Sequence, residues 1–160
     1  MSTEDALSLT VDEDGFVCLV APDTYRGFVH EDWELEQLLA HFTAQMNEGS
    51  LFIAYPGPDH ADDPLEFSGR AVDAPVLREA VSIVRVGPAG LWVTDYTQLT
   101  MAAQFDDEAP TGPSAIRLPV PEGTHRVTLQ HTAGVPRFTL TITPAPPAAP
   151  DPLTAVPWFE

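Results

Sequence analysis

The sequence predicts a mixed α+β fold that is mainly β: an antiparallel β-sandwich carrying one amphipathic helix, followed by a disordered Pro-rich tail. Three observations predict it. Short apolar or alternating stretches separated by turn residues recur from 50 to 143. One segment alone places apolar side chains at helical spacing. Six of the seventeen prolines fall between 144 and 157, where they favour an extended, polyproline-like chain. An apolar fraction of 44% in 160 residues supplies one ordinary core. One domain over 1–143 and a flexible tail over 144–160 are therefore expected.

The elements follow in order. Leu7–Val11 alternates as a half-buried strand, Asp12-Glu13-Asp14-Gly15 has turn chemistry, and Phe16–Val20 reads as the returning strand of a hairpin. Leu35, Leu38, Leu39, Phe42 and Met46 form one apolar stripe, which places the helix at about 32–47. Glu31, Asp32 and Glu34 put negative charge at its start, where the helix dipole is positive, and Gly49 stops it. Leu51–Tyr55 is a short strand closed by Pro56-Gly57-Pro58, and Leu65–Val72 is a weaker one. Ala80–Val86 and Leu91–Thr97 flank Gly87-Pro88-Ala89-Gly90 as a second hairpin. Leu99, Met101, Ala103 and Phe105 then share one face of a further strand. Ala115–Val120 is a strand whose Pro119 marks an edge or an end. Val127, Leu129 and His131, and then Phe138, Leu140 and Ile142, alternate with polar neighbours.

Charge is the strongest composition signal. The chain carries 24 acidic and 7 basic residues for a net −17, and all seven basic residues are arginines. Residues 1–80 contribute −14 of this total and 81–160 only −3. Such a field repels phosphate backbones and anionic lipid and attracts basic partners, so neither nucleic acid nor membrane is an expected partner. Acidity also keeps a protein soluble, which is the plainer use of it. The acidic amino terminus has no secretory pattern and no apolar run reaches about 20 residues, so a cytoplasmic protein is expected.

No catalytic motif, metal site or cofactor site is expected. Nucleophile-elbow, P-loop and dinucleotide-binding patterns are absent from the sequence. Cys18 lies in the apolar run Val17–Val20, which suits a buried structural thiol, and a single cysteine cannot form an internal disulfide. His125 and His131 lie on one strand face but six residues apart, about 20 Å, too far to share an ion. Asp59-His60-Ala61-Asp62-Asp63 gathers metal-ligating residue types with one histidine and reads as a solvated loop. Asp12–Gly15 lacks the later ligands of a calcium loop.

An interaction role has more physical content. Ten of the first 36 residues are acidic against one arginine, and Tyr25, Phe28 and Trp33 lie among them. Charge steers a basic partner and aromatic side chains anchor an interface. The expected contacts are Tyr25, Glu31, Asp32, Trp33, Glu34 and Glu36, with Trp158 and Phe159 of the tail as a second set. The acidic first half, followed by Ile116-Arg117-Leu118-Pro119-Val120-Pro121-Glu122-Gly123 leading into Val127-Thr128-Leu129, resembles small acidic bacterial immunity and inhibitor proteins. Among these is the nuclease-inhibitor family named after competence protein J. The resemblance covers residues 80–143 and transfers no functional residue.

It implies an immunity-type inhibitor, as in a toxin–antitoxin pair, that neutralises a basic partner such as a nuclease-like toxin by occlusion. A second hypothesis is an adaptor or assembly subunit working through Trp158 and Phe159 on a flexible tether. A third is a small-ligand or sugar-binding sandwich that uses Trp92 and Tyr96 on a shared strand face. The oligomeric state is not readable from the sequence.

Overall fold

The computed structural model describes residues 9–68, 75–112, 115–133, 138–145 and 153–159. Among them are nine strands: β1 (Leu9–Thr10), β2 (Val17–Val20), β3 (Leu51–Ala54), β4 (Pro64–Ser68), β5 (Val76–Val86), β6 (Leu91–Thr94), β7 (Ile116–Leu118), β8 (Gly123–Thr132) and β9 (Phe138–Pro144). Two helices accompany them, α1 (Leu35–Glu48) and α2 (Tyr96–Gln104). The strands form two sheets, ordered β1-β4-β9-β8-β5 and β3-β2-β6-β7. Every pairing is antiparallel except β4 with β9. The protein is thus mixed α+β and mostly β. Leu19, Phe52 and Leu91 of one sheet, Leu129, Phe138 and Leu140 of the other, and Leu38 and Phe42 of α1 are fully buried in one apolar cluster.

The helix stripe read from the sequence is α1, beginning at Leu35 rather than about 32. Glu34 caps it in an extended conformation, its N–H donating to the Gln37 side chain at 2.8 Å. Leu38, Phe42 and Met46 are the buried part of the stripe, whereas Leu35 stands exposed in the first turn. Gly49 ends the helix in the left-handed region (φ 82°), a conformation that glycine adopts without a Cβ penalty.

Both expected hairpins prove to be corners between sheets. The Asp12–Gly15 turn forms as read. The Asp12 carboxylate accepts the Asp14 and Phe16 N–H groups at 2.9 and 2.8 Å, and Gly15 has φ 87°. Yet β1 pairs with β4, and β2 pairs with β3 and β6. Likewise, β5 pairs with β8 and β6 with β2 and β7, so Gly87–Gly90 carries the chain from one sheet to the other. Turn residues fix the bend of the backbone; the pairing of the flanking strands is decided by distant partners.

The segment expected to be a strand with Leu99, Met101, Ala103 and Phe105 on one face is instead α2, a second helix. The Asp95 side chain accepts the Gln98 N–H at 2.7 Å and caps it. Leu99, Ala102 and Ala103 are its buried residues, a helical i, i+3, i+4 set. Tyr96 therefore lies on a helix, and the shared strand face of Trp92 and Tyr96 does not form. Trp92 stays on β6, half-buried, its indole N–H donating to the Ala89 carbonyl at 2.8 Å.

The chain end also differs from a free tail. The Asn47 side chain accepts the Leu153 N–H at 2.8 Å and donates to the Leu153 carbonyl at 2.9 Å. Tyr55, just past β3, pairs in parallel with Trp158: its N–H donates to Pro157 and its carbonyl accepts from Phe159, both at 2.9 Å. Val156 and Phe159 are buried in the core. Burying two apolar side chains, each worth about 1.5–3 kcal/mol, gives 153–159 a reason to dock that a purely Pro-rich segment lacks. The polyproline stretch itself, 146–152, lies outside the described residues.

Candidate acidic interface

The start of α1 and the end of α2 lie together. Val29 and His30 donate backbone N–H groups to the Ala103 carbonyl at 2.8 and 3.2 Å, and the Gln104 side chain donates to the Glu31 carbonyl at 2.8 Å. Three hydrogen bonds thus lace segment 28–36 to the last turn of α2. Glu31, Asp32, Glu34 and Glu36 are all exposed on it. Asp106 and Asp107, directly after α2, are exposed as well. Among these carboxylates stand four large apolar side chains open to water: Phe28 (50% exposed), Leu35 (55%), Met101 and Phe105.

The aromatics expected as anchors here sit deeper. Tyr25 is buried, its ring edge meeting His41 at 5.9 Å, and its hydroxyl has no hydrogen-bond partner. Burial pushes the Tyr25 hydroxyl pKa well above its usual value. Trp33 is half-buried against the core with its indole nitrogen enclosed and unpaired. Neither ring is open to water as Phe28 and Leu35 are. Sequence reading missed Met101, Phe105, Asp106 and Asp107. The signal for them was Asp95 three residues before Gln98, a helix cap that would have turned the 99–105 pattern onto a helix.

At the other end of α2 the Asp12 carboxylate accepts the Tyr96 N–H at 2.8 Å, and Asp14 accepts the Thr97 hydroxyl at 3.0 Å. Thr97, Met101 and Phe105 fall at helical spacing and are all exposed, so α2 presents one open stripe with acidic residues at both ends. Burial raises the pKa of Asp12 despite its three backbone hydrogen bonds, which favour the charged form. The Trp158 ring packs on Tyr55 at 4.1 Å and Phe159 is buried, so the two tail aromatics belong to the domain surface and core respectively.

The other candidates resolve simply. Cys18 is fully buried, and burial followed by the charges of Asp12, Asp95 and Asp14 drives its thiol pKa well above the usual value, so it holds its proton. His60 bonds Asp63 at 2.9 Å and meets the ring of His131 at 5.1 Å. Among the described residues no three of His, Cys, Asp and Glu are placed to hold a metal ion. Asp23, Thr24, Tyr25, Arg26, Glu48 and Arg85 line an open cleft of about 540 Å³ whose acidic and basic side chains balance in charge. Among the described residues no helix is long and apolar enough to cross a membrane.

No protein-family model matches the sequence, and no curated protein matches it. The fold resembles the crystal structure of ComJ from Bacillus subtilis, an inhibitor of the DNA-degrading activity of NucA. The two share 12% sequence identity with a TM-score of 0.43, over 86% of this chain and 96% of that one.

Proposed function

We propose that this protein is a cytoplasmic binding protein, of inhibitor type, that neutralises a basic protein partner by covering its cationic surface. One observation carries the proposal: segment 28–36 and the end of α2 bring Glu31, Asp32, Glu34, Glu36, Asp106 and Asp107 around exposed Phe28, Leu35, Met101 and Phe105. Carboxylates steer the partner and occupy its arginines and lysines, and the apolar side chains supply the desolvated centre of the contact. A nuclease-like toxin is the partner class that suits this chemistry, because its basic side chains otherwise hold phosphates. The charge distribution supports this, not the likeness to ComJ.

The test is affinity capture from the native cells at ~50 and ~300 mM salt, with the wild type and the Glu31→Lys/Asp32→Lys/Glu34→Lys variant side by side. A basic protein retained at low salt, weakened at high salt and lost by the variant is the expected result. Equal retention by both proteins would sink the proposal.

A further inference from the structure

Four aromatic rings form a continuous row where the Asp12–Gly15 corner meets the docked chain end. Tyr96 stacks on Phe16 (4.2 Å between centroids, 5° between planes), and Phe16 meets Tyr55 at 4.6 Å. Tyr55 packs on Trp158 at 4.1 Å, and Trp158 stands nearly perpendicular to Phe16 at 6.2 Å. Phe16 is buried, Tyr55 and Tyr96 are half-buried, and Trp158 is 46% exposed. The exposure of Trp158 does not come from a loose chain end. Its neighbour Phe159 is buried, and the backbone on both sides is bonded to Tyr55.

Carboxylates border this row. Glu13 and Asp14 are exposed two or three residues from Phe16, and Asp14 is held in place by the Thr97 hydroxyl. Asp59 is exposed just beyond Gly57, whose N–H donates to Gly15 at 3.1 Å. The corner is fixed by close backbone approach: a Cβ on Gly15 would lie 2.4 Å from the Gly57 carbonyl oxygen. A half-exposed indole on a row of rings flanked by carboxylates, one of them held by Thr97, is matched by one side chain above others. A guanidinium is flat enough to stack on the ring, stays charged, and keeps N–H groups at its edge for carboxylate oxygens.

We infer that Trp158, with Tyr55, Glu13 and Asp14, is a recognition site for an arginine side chain of the partner protein. The inference rests on the proposal that the partner is basic, and it adds a contact at the end of α2 opposite the Glu31–Glu36 face. It also gives the aromatic chain end a role on the domain itself, as one wall of the site.

The probe is acetylated tetra-arginine amide, titrated into the full-length protein at 0.15 M salt while the indole N–H signals are followed by NMR. The Trp158 signal, assigned with Trp158→Phe, is expected to move on titration, with tetralysine binding more weakly and tetraglutamine producing no shift. Trp158→Leu, which keeps an apolar side chain at the docked chain end, and Asp14→Asn are each expected to weaken the peptide about two- to fivefold. Unchanged affinity in a folded Trp158→Leu, or shifts confined to Trp33 and Trp92, would overturn the site and leave the Glu31–Glu36 face standing. If the Glu31→Lys/Asp32→Lys/Glu34→Lys variant loses the captured partner while wild-type Trp158 fails to respond to tetra-arginine, this site alone is refuted. If Trp158 responds but that triple variant retains the partner, the acidic-face proposal fails and the arginine site stands.

Discussion

Neighbouring residues of the chain end separate stability from recognition. Phe159 is buried and Trp158 is half in water, so truncating them should have unlike consequences. Phe159→Ala is expected to lower unfolding stability by about 3 kcal/mol, the cost of emptying a buried aromatic site, as read by urea denaturation. Trp158→Leu should change stability far less. If the two cost the same, the chain end does not dock as described. His41 gives a pH signature. Burial lowers its pKa below the ordinary 6.5, with the Arg26 backbone and the Glu48 charge opposing, and its Nε2 is enclosed without a partner. The folded state therefore binds fewer protons there than the unfolded chain. Its contribution is present above pH 6.5 and is lost as pH falls from 6.5 through the lower folded value. Denaturation at pH 7.5 and 5.5 should show wild-type stability falling with pH. In His41→Gln the slope should be shallower; an identical slope would remove His41 as its source.

At the scale of elements, α2 is the hinge between what the sequence shows and what it hides. Leu99 and Ala103 satisfy a strand period and a helix period alike; Asp95 decides between them through its bond to the Gln98 N–H. Removing that acceptor with Asp95→Ala should cost about 1 kcal/mol, read by thermal unfolding, and loosen the first turn of α2 at Tyr96–Gln98. The α1 stripe, the apolar β2 and β3 runs and the alternation of β8 and β9 were legible because each rests on local spacing. The corners were legible as turns from Asp12 and from Gly87–Gly90. Which strands they join was not, since β2 finds β3 and β6, and β4 finds β9 in parallel, across long stretches of chain. The candidate interface was half legible for the same reason. Glu31 to Glu36 stood out by charge, but Met101, Phe105 and Asp106 join them only once α2 is a helix and Gln104 reaches Glu31.

For the whole molecule, a net −17 spread over 160 residues opposes compaction while it serves recognition, and the two effects can be read apart. Replacing Glu31, Asp32 and Glu34 with lysine moves the net charge from −17 to −11. All three side chains are exposed, and their surroundings include further carboxylates at Glu36, Asp106 and Asp107. Relief of that repulsion is opposed by loss of the Glu34 cap and of favourable negative charge at the positive end of α1, so folding stability should fall by about 1–2 kcal/mol. Association with a basic partner should slow as well. Electrostatic steering is worth about 10- to 1,000-fold in on-rate, so the variant, which keeps a net −11, should associate up to about tenfold more slowly at low salt. The difference should shrink as ~300 mM salt shortens the range of the field below the ~8 Å of physiological ionic strength. Stopped-flow association and urea denaturation on the same two proteins make the comparison. A folded variant that associates more slowly and also dissociates faster assigns the acidic face to recognition, because a surface kept acidic for solubility alone would alter only the long-range approach.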